Sequence, residues 1–369
     1  MFQPQLNREQ TGRERFAGVY RVLEEAIAAR AFPGCAFGVF AGGQVQLQDA
    51  LGQLTYEPGA PEVSPGTVFD LASVTKVVAT TAAAMLLVQR GQLDADDPLG
   101  KWLPGFAAGR APHDPARAVS LRHLLAHSSG LPGYVEFFRN CSTPDALLRA
   151  CLKLPLQAAP GTRAEYSDPG FILLGKALEV CMGEALAPWT QREIFAPMQL
   201  TATRFYPPPE QRRAIPPTEE DRGFRNRIIQ GEVQDENAFL LGGVAGHAGL
   251  FSNVPDLLRF SAAILDSRSE AISPSLFQWD TIRKFARRQE PAGSSRALGW
   301  DSPSENSSSG RYFSPNSIGH LGYSGCSLWI DLDAGIAVVL LTNRTWPDRA
   351  SQLIKQVRPA FHDAVREAL

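Results

Sequence analysis

Apolar residues recur at helical spacing over residues 13–30 (Phe16, Val19, Tyr20, Val22, Leu23, Ala26, Ile27), which predicts an amphipathic helix. The triplet Phe32-Pro33-Gly34 stops it. Two strand-like runs follow, residues 35–40 and 44–51, joined by Ala41-Gly42-Gly43, a hairpin pattern. Residues 69–90 begin Phe69-Asp70-Leu71-Ala72-Ser73 and become a run of Ala, Val, Thr and Leu ending at Gly91. A helix with so few charges belongs in a core. From residue 104 to 230 short helical patterns alternate with proline-rich connections, including Pro207-Pro208-Pro209 and Pro216-Pro217. The pattern then predicts a capped helix over 256–265 and a polar loop over 302–309. Strands over 317–325, 327–331 and 335–343 and a closing amphipathic helix over 347–369 complete the chain.

Strands near both ends predict an α+β fold: one antiparallel sheet flanked by helices, with a mostly helical insertion. The expected division is residues 1–103 together with 235–369 as a discontinuous α/β domain, and 104–234 as a mostly helical domain.

Composition narrows the function classes. The chain has 369 residues, 44% hydrophobic and 20% charged, which excludes a disordered chain or a fibre. With 36 basic and 38 acidic side chains the net charge is −2, so no global field attracts nucleic acid. No run of apolar residues reaches the ~18 that a membrane span needs. Five cysteines without C-x-x-C spacing indicate neither a disulfide framework nor a zinc site. The N-terminal residues lack the basic start and apolar core of a signal peptide, so the expectation for the sequence as given is cytoplasmic. Removal of a leader would change that to periplasmic or extracellular. The sequence carries no signal for oligomeric state. Only six of the 36 basic residues are lysine, so a lysine inside a motif is informative.

Ser73-Val74-Thr75-Lys76 puts a hydroxyl and an ammonium three residues apart, on one face of a helix. Helix N-termini favour oxyanions, and a desolvated lysine can relay a serine proton. S-x-x-K recurs by chance, but Lys76 is the sole lysine in the first 100 residues and an uncharged run follows it. Tyr166-Ser167-Asp168 precedes a helix-like segment. Tyr166 can act as a general base if a nearby lysine lowers its pKa from ~10, and Asp168 would suit a helix N-cap. In His320-Leu321-Gly322-Tyr323-Ser324-Gly325, Gly322 would let a substrate lie against the strand, with the next N–H pointing at an oxyanion.

These segments, in this order, resemble the penicillin-recognising serine hydrolases: class C β-lactamases, DD-peptidases and β-lactamase-like esterases. The resemblance runs through residues 69–76, 93–99, 121–132 and 246–252. It implies a β-lactamase/transpeptidase-like fold and Ser73 as the acylated nucleophile. It further implies that Lys76 supports deprotonation, that Tyr166 shuttles the proton, and that the N–H groups of Ser73 and Tyr323 form an oxyanion hole. His320 would stand where many members have the lysine of K-T-G, and Asp168 where they have asparagine. Asp168 is expected to pair with Lys76 and hold it charged, leaving Tyr166 as the base. A partial charge on His320, with an unperturbed pKa of ~6.5, would make turnover of anionic substrates fall as pH rises through that value.

The resulting expectation is a serine hydrolase with no metal or organic cofactor, cleaving a small-molecule ester, β-lactam or related amide through an acyl-enzyme. The alternatives are a D-Ala-D-Ala carboxypeptidase acting on muropeptides, and a catalytically idle protein that binds peptidoglycan fragments. His123 and His127 have zincin spacing, but Leu124 stands where the acid would be, which favours structural roles. The segment 242–246 lacks a P-loop ending and reads as tight backbone near the site. Residues 234–237 (Gln234, Asp235, Glu236, Asn237) read as a solvated loop.

Overall fold

Strands from the two ends of the chain pair into one five-stranded antiparallel sheet. The computed structural model describes residues 12–268 and 275–369; residues 1–5, read above for a leader, lie outside them. The order is β2-β1-β10-β9-β8, built from Gly34–Ala41 (β1), Gln44–Gly52 (β2), Ile318–Leu321 (β8), Ser327–Asp331 (β9) and Ile336–Thr342 (β10). β1 meets β10 from Cys35 opposite Thr342 to Ala41 opposite Ile336, which joins the two ends. The β1–β2 turn needs positive φ at both central positions, and Gly42 (+59°) and Gly43 (+76°) supply it.

Every residue of β1 and β10 is buried, so both faces of the sheet are covered. Helices Ala17–Ala28 (α1) and Ile354–Ala368 (α8) close one face through Phe37, Val39, Val338, Leu340 and Phe361. Burial of each such side chain stabilises the fold by roughly 1.5–3 kcal/mol. Val254–Asp266 (α7), capped by Asn253 Oδ1 on the Asp256 amide at 3.0 Å, lies on the other face. The five strands and these helices match the sequence expectation, with ends shifted by a few residues.

The run 69–90 departs from it. Instead of one helix it gives a short strand, Phe69–Asp70 (β3), a tight turn Ala72–Val74, a wide turn Lys76–Thr81 and only then a regular helix, Ala82–Gln89 (α2). Ala72 sits at φ +45°, with its amide held by the Asp70 carboxylate at 2.8 Å, so no helix can run through it. Residues Ala72–Gln89 have the length and apolarity of a membrane span, but 83% of that stretch is buried inside the protein.

The intervening residues contribute Leu121–Leu125 (α3), Pro144–Leu152 (α4) and Asp168–Met182 (α5). They also hold the strand Arg204–Phe205 (β4) and the hairpin Glu219–Asp221 (β5) with Arg227–Ile229 (β6). Glu236–Leu240 (α6) and Leu250–Ser252 (β7) lead back to the sheet, and β3, β7 and β4 pair in that order. One apolar cluster runs from Phe106, Leu147 and Phe171 through Val77 and Leu86 to Leu328 and Val339.

Candidate active site

The turn at Ala72–Val74 presents Ser73 beside the first residue of the wide turn, Lys76, whose side chain is fully buried. Lys76 Nζ donates to Ser73 Oγ at 3.1 Å, to Asp168 Oδ1 at 2.7 Å and to the His247 carbonyl at 3.1 Å. Three N–H groups meet three acceptors, which is the valence of an ammonium and leaves no lone pair. Burial opposes the charge, but the Asp168 carboxylate and Tyr166 outweigh it and raise the Lys76 pKa above the ordinary lysine value. The expected pairing of Asp168 with Lys76 is present. Asp168 is not the N-cap of α5, however: Ser167 Oγ accepts from the Gly170 amide at 3.1 Å and frees the carboxylate for Lys76.

Tyr166 lies against the same ammonium, with Lys76 Nζ 4.7 Å from the ring centroid. Its pKa moves up, not down as the sequence reading required of a base. Burial outweighs the opposing pull of Lys76 and Ser73, so the resting hydroxyl keeps its proton. His127 stacks on Tyr166 (centroids 4.6 Å apart) and on Phe171 (4.9 Å), and its Nδ1 accepts from the Ser167 amide at 2.9 Å. His123 Nδ1 accepts from the Ser120 amide at 3.1 Å and closes a capping box on α3. Both histidines serve the scaffold.

The third segment comes from the edge strand β8. His320 is 3% exposed, its ring centroid 6.0 Å from that of Tyr166. Burial, aided by the Lys76 and Arg296 charges, holds its pKa well below the usual histidine value. The imidazole is therefore neutral, and the expected partial charge is absent. Gly322 also has a packing reason beyond the one expected. A Cβ there would come 2.4 Å from the Leu71 carbonyl, so glycine lets β8 approach the nucleophile turn itself. The Gly322 amide bonds Cys326 O at 2.7 Å, whereas the Tyr323 amide has no acceptor among the described residues. Arg358 of α8, buried, holds this turn through the carbonyls of Gly322 (2.6 Å) and Cys326 (2.9 Å).

Ser73, Tyr166, Asp168, His320, Gly322 and Tyr323 line one cavity of about 860 Å³. Lys76 lies beneath it. Residues 234–237 are not a solvated loop. Gln234, Glu236 and Asn237 are buried, and Asp235 lines the cavity. Asp235 Oδ1 meets His247 Nε2 at 2.8 Å; burial disfavours the charge, yet His247 pulls the carboxyl down to about 2. Its neighbour Asp70, 2% exposed, accepts the Ala72 and Gln234 amides, each at 2.8 Å, while burial raises it to about 6. Arg296 lies 5.4 Å over the Tyr166 ring, with Asp301 3.5 Å away. Arg296 and Arg358 went unread because no local motif marks them, while Asp70 and His247 lay inside family-like segments without a role of their own and Asp235 was read as part of a solvated loop. The contacts that give them roles link distant segments, as with Asp70 and Gln234, 164 residues apart.

The family model described as beta-lactamase matches residues 19–359. A Bacillus subtilis (strain 168) protein named N-acetylmuramyl-L-alanine amidase is 32% identical, the match covering 88% of this chain and 80% of that protein. An Escherichia coli (strain K12) protein provisionally named D-alanyl-D-alanine carboxypeptidase is 31% identical over 77% of this chain and 70% of its own. Among solved structures, EstCE1, described as a hydrolase with promiscuous acyltransferase activity, superposes with a TM-score of 0.77 at 23% identity. That match covers 96% of this chain and 99% of the other.

Proposed function

The chain belongs to the beta-lactamase family of serine hydrolases, and from that premise we propose that it cleaves an ester or amide bond through an acyl-enzyme on Ser73. The observation that carries this reading is the saturated Lys76 ammonium at 3.1 Å from Ser73 Oγ, with Tyr166 against it and an open cavity above. The reactive form is the minor one in which Tyr166 has lost its proton to solvent and the ammonium stabilises the phenolate. As Ser73 attacks the carbonyl carbon, its proton passes to that phenolate. The carbonyl oxygen becomes an oxyanion received by the Ser73 and Tyr323 N–H groups. Tyr166 then protonates the departing alcohol or amine, leaving the acyl group on Ser73. Water attacks that ester, Tyr166 takes the water's proton, and the carboxylic acid leaves as Ser73 is reprotonated.

A substrate with a modest acyl group ranks first, because a neutral His320 supplies no cation for a substrate carboxylate. A muropeptide ending in D-Ala-D-Ala is the second reading, favoured by the name of the Escherichia coli relative above. Turnover of a short p-nitrophenyl ester, a chromogenic cephalosporin and a D-Ala-D-Ala peptide, with Ser73→Ala as control, tests both. Ester cleavage that the control loses by at least ~1000-fold is expected. Preferential release of D-alanine would support the second reading. Equal rates for wild type and control, or no turnover of any substrate, would sink the hydrolase reading and leave a binding role.

A further inference from the structure

Resting on that reading of the site, the geometry points to Arg344, Lys355 and Arg358 as an anion-binding subsite, so that the preferred substrate carries a carboxylate beside its reacting carbonyl. The observation is a charge imbalance along the cavity wall. Arg139, Arg222, Arg296 and Arg349 each face a carboxylate, from Glu136, Glu220, Asp301 and Glu219 in turn. Arg344, Lys355 and Arg358 line the same cavity and form no ion pair among the described residues. Two of these three are buried, Arg344 at 5% and Arg358 at 6% exposed. By contrast, the buried side chain of Arg225 has Asp221 at 2.8 Å. A buried cation without a counter-charge costs free energy that a bound anion recovers.

The contacts the two arginines do make are to carbonyls. Arg344 Nε donates to the Tyr323 carbonyl at 2.8 Å, and its Nη1 to those of Arg349 (3.2 Å) and Ser351 (3.0 Å). Arg358 spends Nε and Nη2 on the turn 322–326, including the Gly325 carbonyl at 3.2 Å. Carbonyl dipoles satisfy donors without cancelling a full charge. Arg344 Nη2 and Arg358 Nη1 have no acceptor among the described residues and keep accessible surface. Burial and the Arg344 charge together push the Arg358 pKa down to about 10, so two like charges crowd one turn. Glu219 acts on Arg344, but Arg349 already holds both of its oxygens. The Tyr323 ring lies 4.3 Å from the Arg344 guanidinium and supplies only its face. Lys355 stands three residues before Arg358, on the same side of α8. Tyr323, assigned above to the oxyanion hole through its N–H, offers its carbonyl to Arg344. An anion held by these groups therefore lies along the turn that follows β8, next to the reacting centre.

Two matched pairs of substrates test the inference. One pair consists of phenylacetate esters that release 3-hydroxybenzoate or 3-hydroxybenzamide. The other sets the p-nitrophenyl ester of adipic acid against that of its monoamide. In at least one pair, wild-type kcat/KM is expected to favour the carboxylate by at least ~10-fold. Arg344→Gln should bring that pair within ~2-fold, and Lys355→Gln, at an exposed position, should narrow it. Each ratio is taken within one protein, so general damage to the turn cancels. Wild type that shows no carboxylate preference in either pair would overturn the inference while leaving the hydrolase reading standing. A preference that survives undiminished in every folded variant would do the same. Cleavage of none of the four, with no covalent adduct on Ser73, would overturn the hydrolase reading and this inference with it.

Discussion

Asp168 decides which protonation state the nucleophile meets. All three Lys76 protons are committed, the shortest contact being 2.7 Å to this carboxylate, and the half-buried Tyr166 holds its own proton because desolvation raises its pKa. The reactive form is therefore the Tyr166 phenolate, a minor species at neutral pH. A raised pKa means that kcat/KM climbs with pH through neutrality into the alkaline range. Asp168→Asn removes the group that offsets the burial of Lys76, so the lysine pKa falls and Lys76 can become neutral and accept the serine proton. The alkaline rise in kcat/KM of a neutral ester should then move down by about one to three pH units. A profile unchanged in the variant would contradict the role given to Asp168. Ser73, Lys76, Tyr166 and Asp168 were legible because a short motif carries each. The Tyr166 pKa was not, since its sign depends on how deeply the ring is buried.

At the scale of the elements, the nucleophile turn shows where periodicity stops informing. The hairpin β1–β2 and strand β10 were readable, because apolar runs bounded by turn residues leave one arrangement. The run 69–90 has an equally plain apolar pattern and still does not form one helix. Asp70 caps the Ala72 amide, fixes Ala72 at φ +45° and binds Gln234 from a distant segment. Such a residue orients Ser73 without touching a substrate, and it has a thermodynamic signature. Burial raises its pKa to about 6, so between the ordinary carboxyl value and 6 the folded state binds the proton more tightly than the unfolded state. Its contribution to stability is greatest in acid and is lost as pH rises toward 6. Wild-type stability measured relative to Asp70→Asn should therefore fall by about 2 kcal/mol between pH 4 and 6.5 in denaturant titrations. A difference that stays flat or grows over that range would contradict the assignment.

For the whole molecule, the site exists only where segments from both ends and the middle of the chain converge. β3 brings Ser73, α5 brings Asp168 and β8 brings His320, while Arg358 of α8 holds the turn that carries Tyr323. The fold class was readable because strands at both ends must share a sheet if each is to be covered. The second tier of the site was not. Asp235, His247 and Arg296 acquire their roles only from neighbours supplied by folding. The central claim, that this convergence makes Ser73 a nucleophile, has a direct measurement. Folded protein would be treated briefly with a fluorophosphonate, weighed intact and digested for peptide mapping. The account predicts a single adduct on Ser73, lost in Ser73→Ala and slowed at least ~100-fold in Tyr166→Phe. An unlabelled protein, or a label on any other residue, would contradict it.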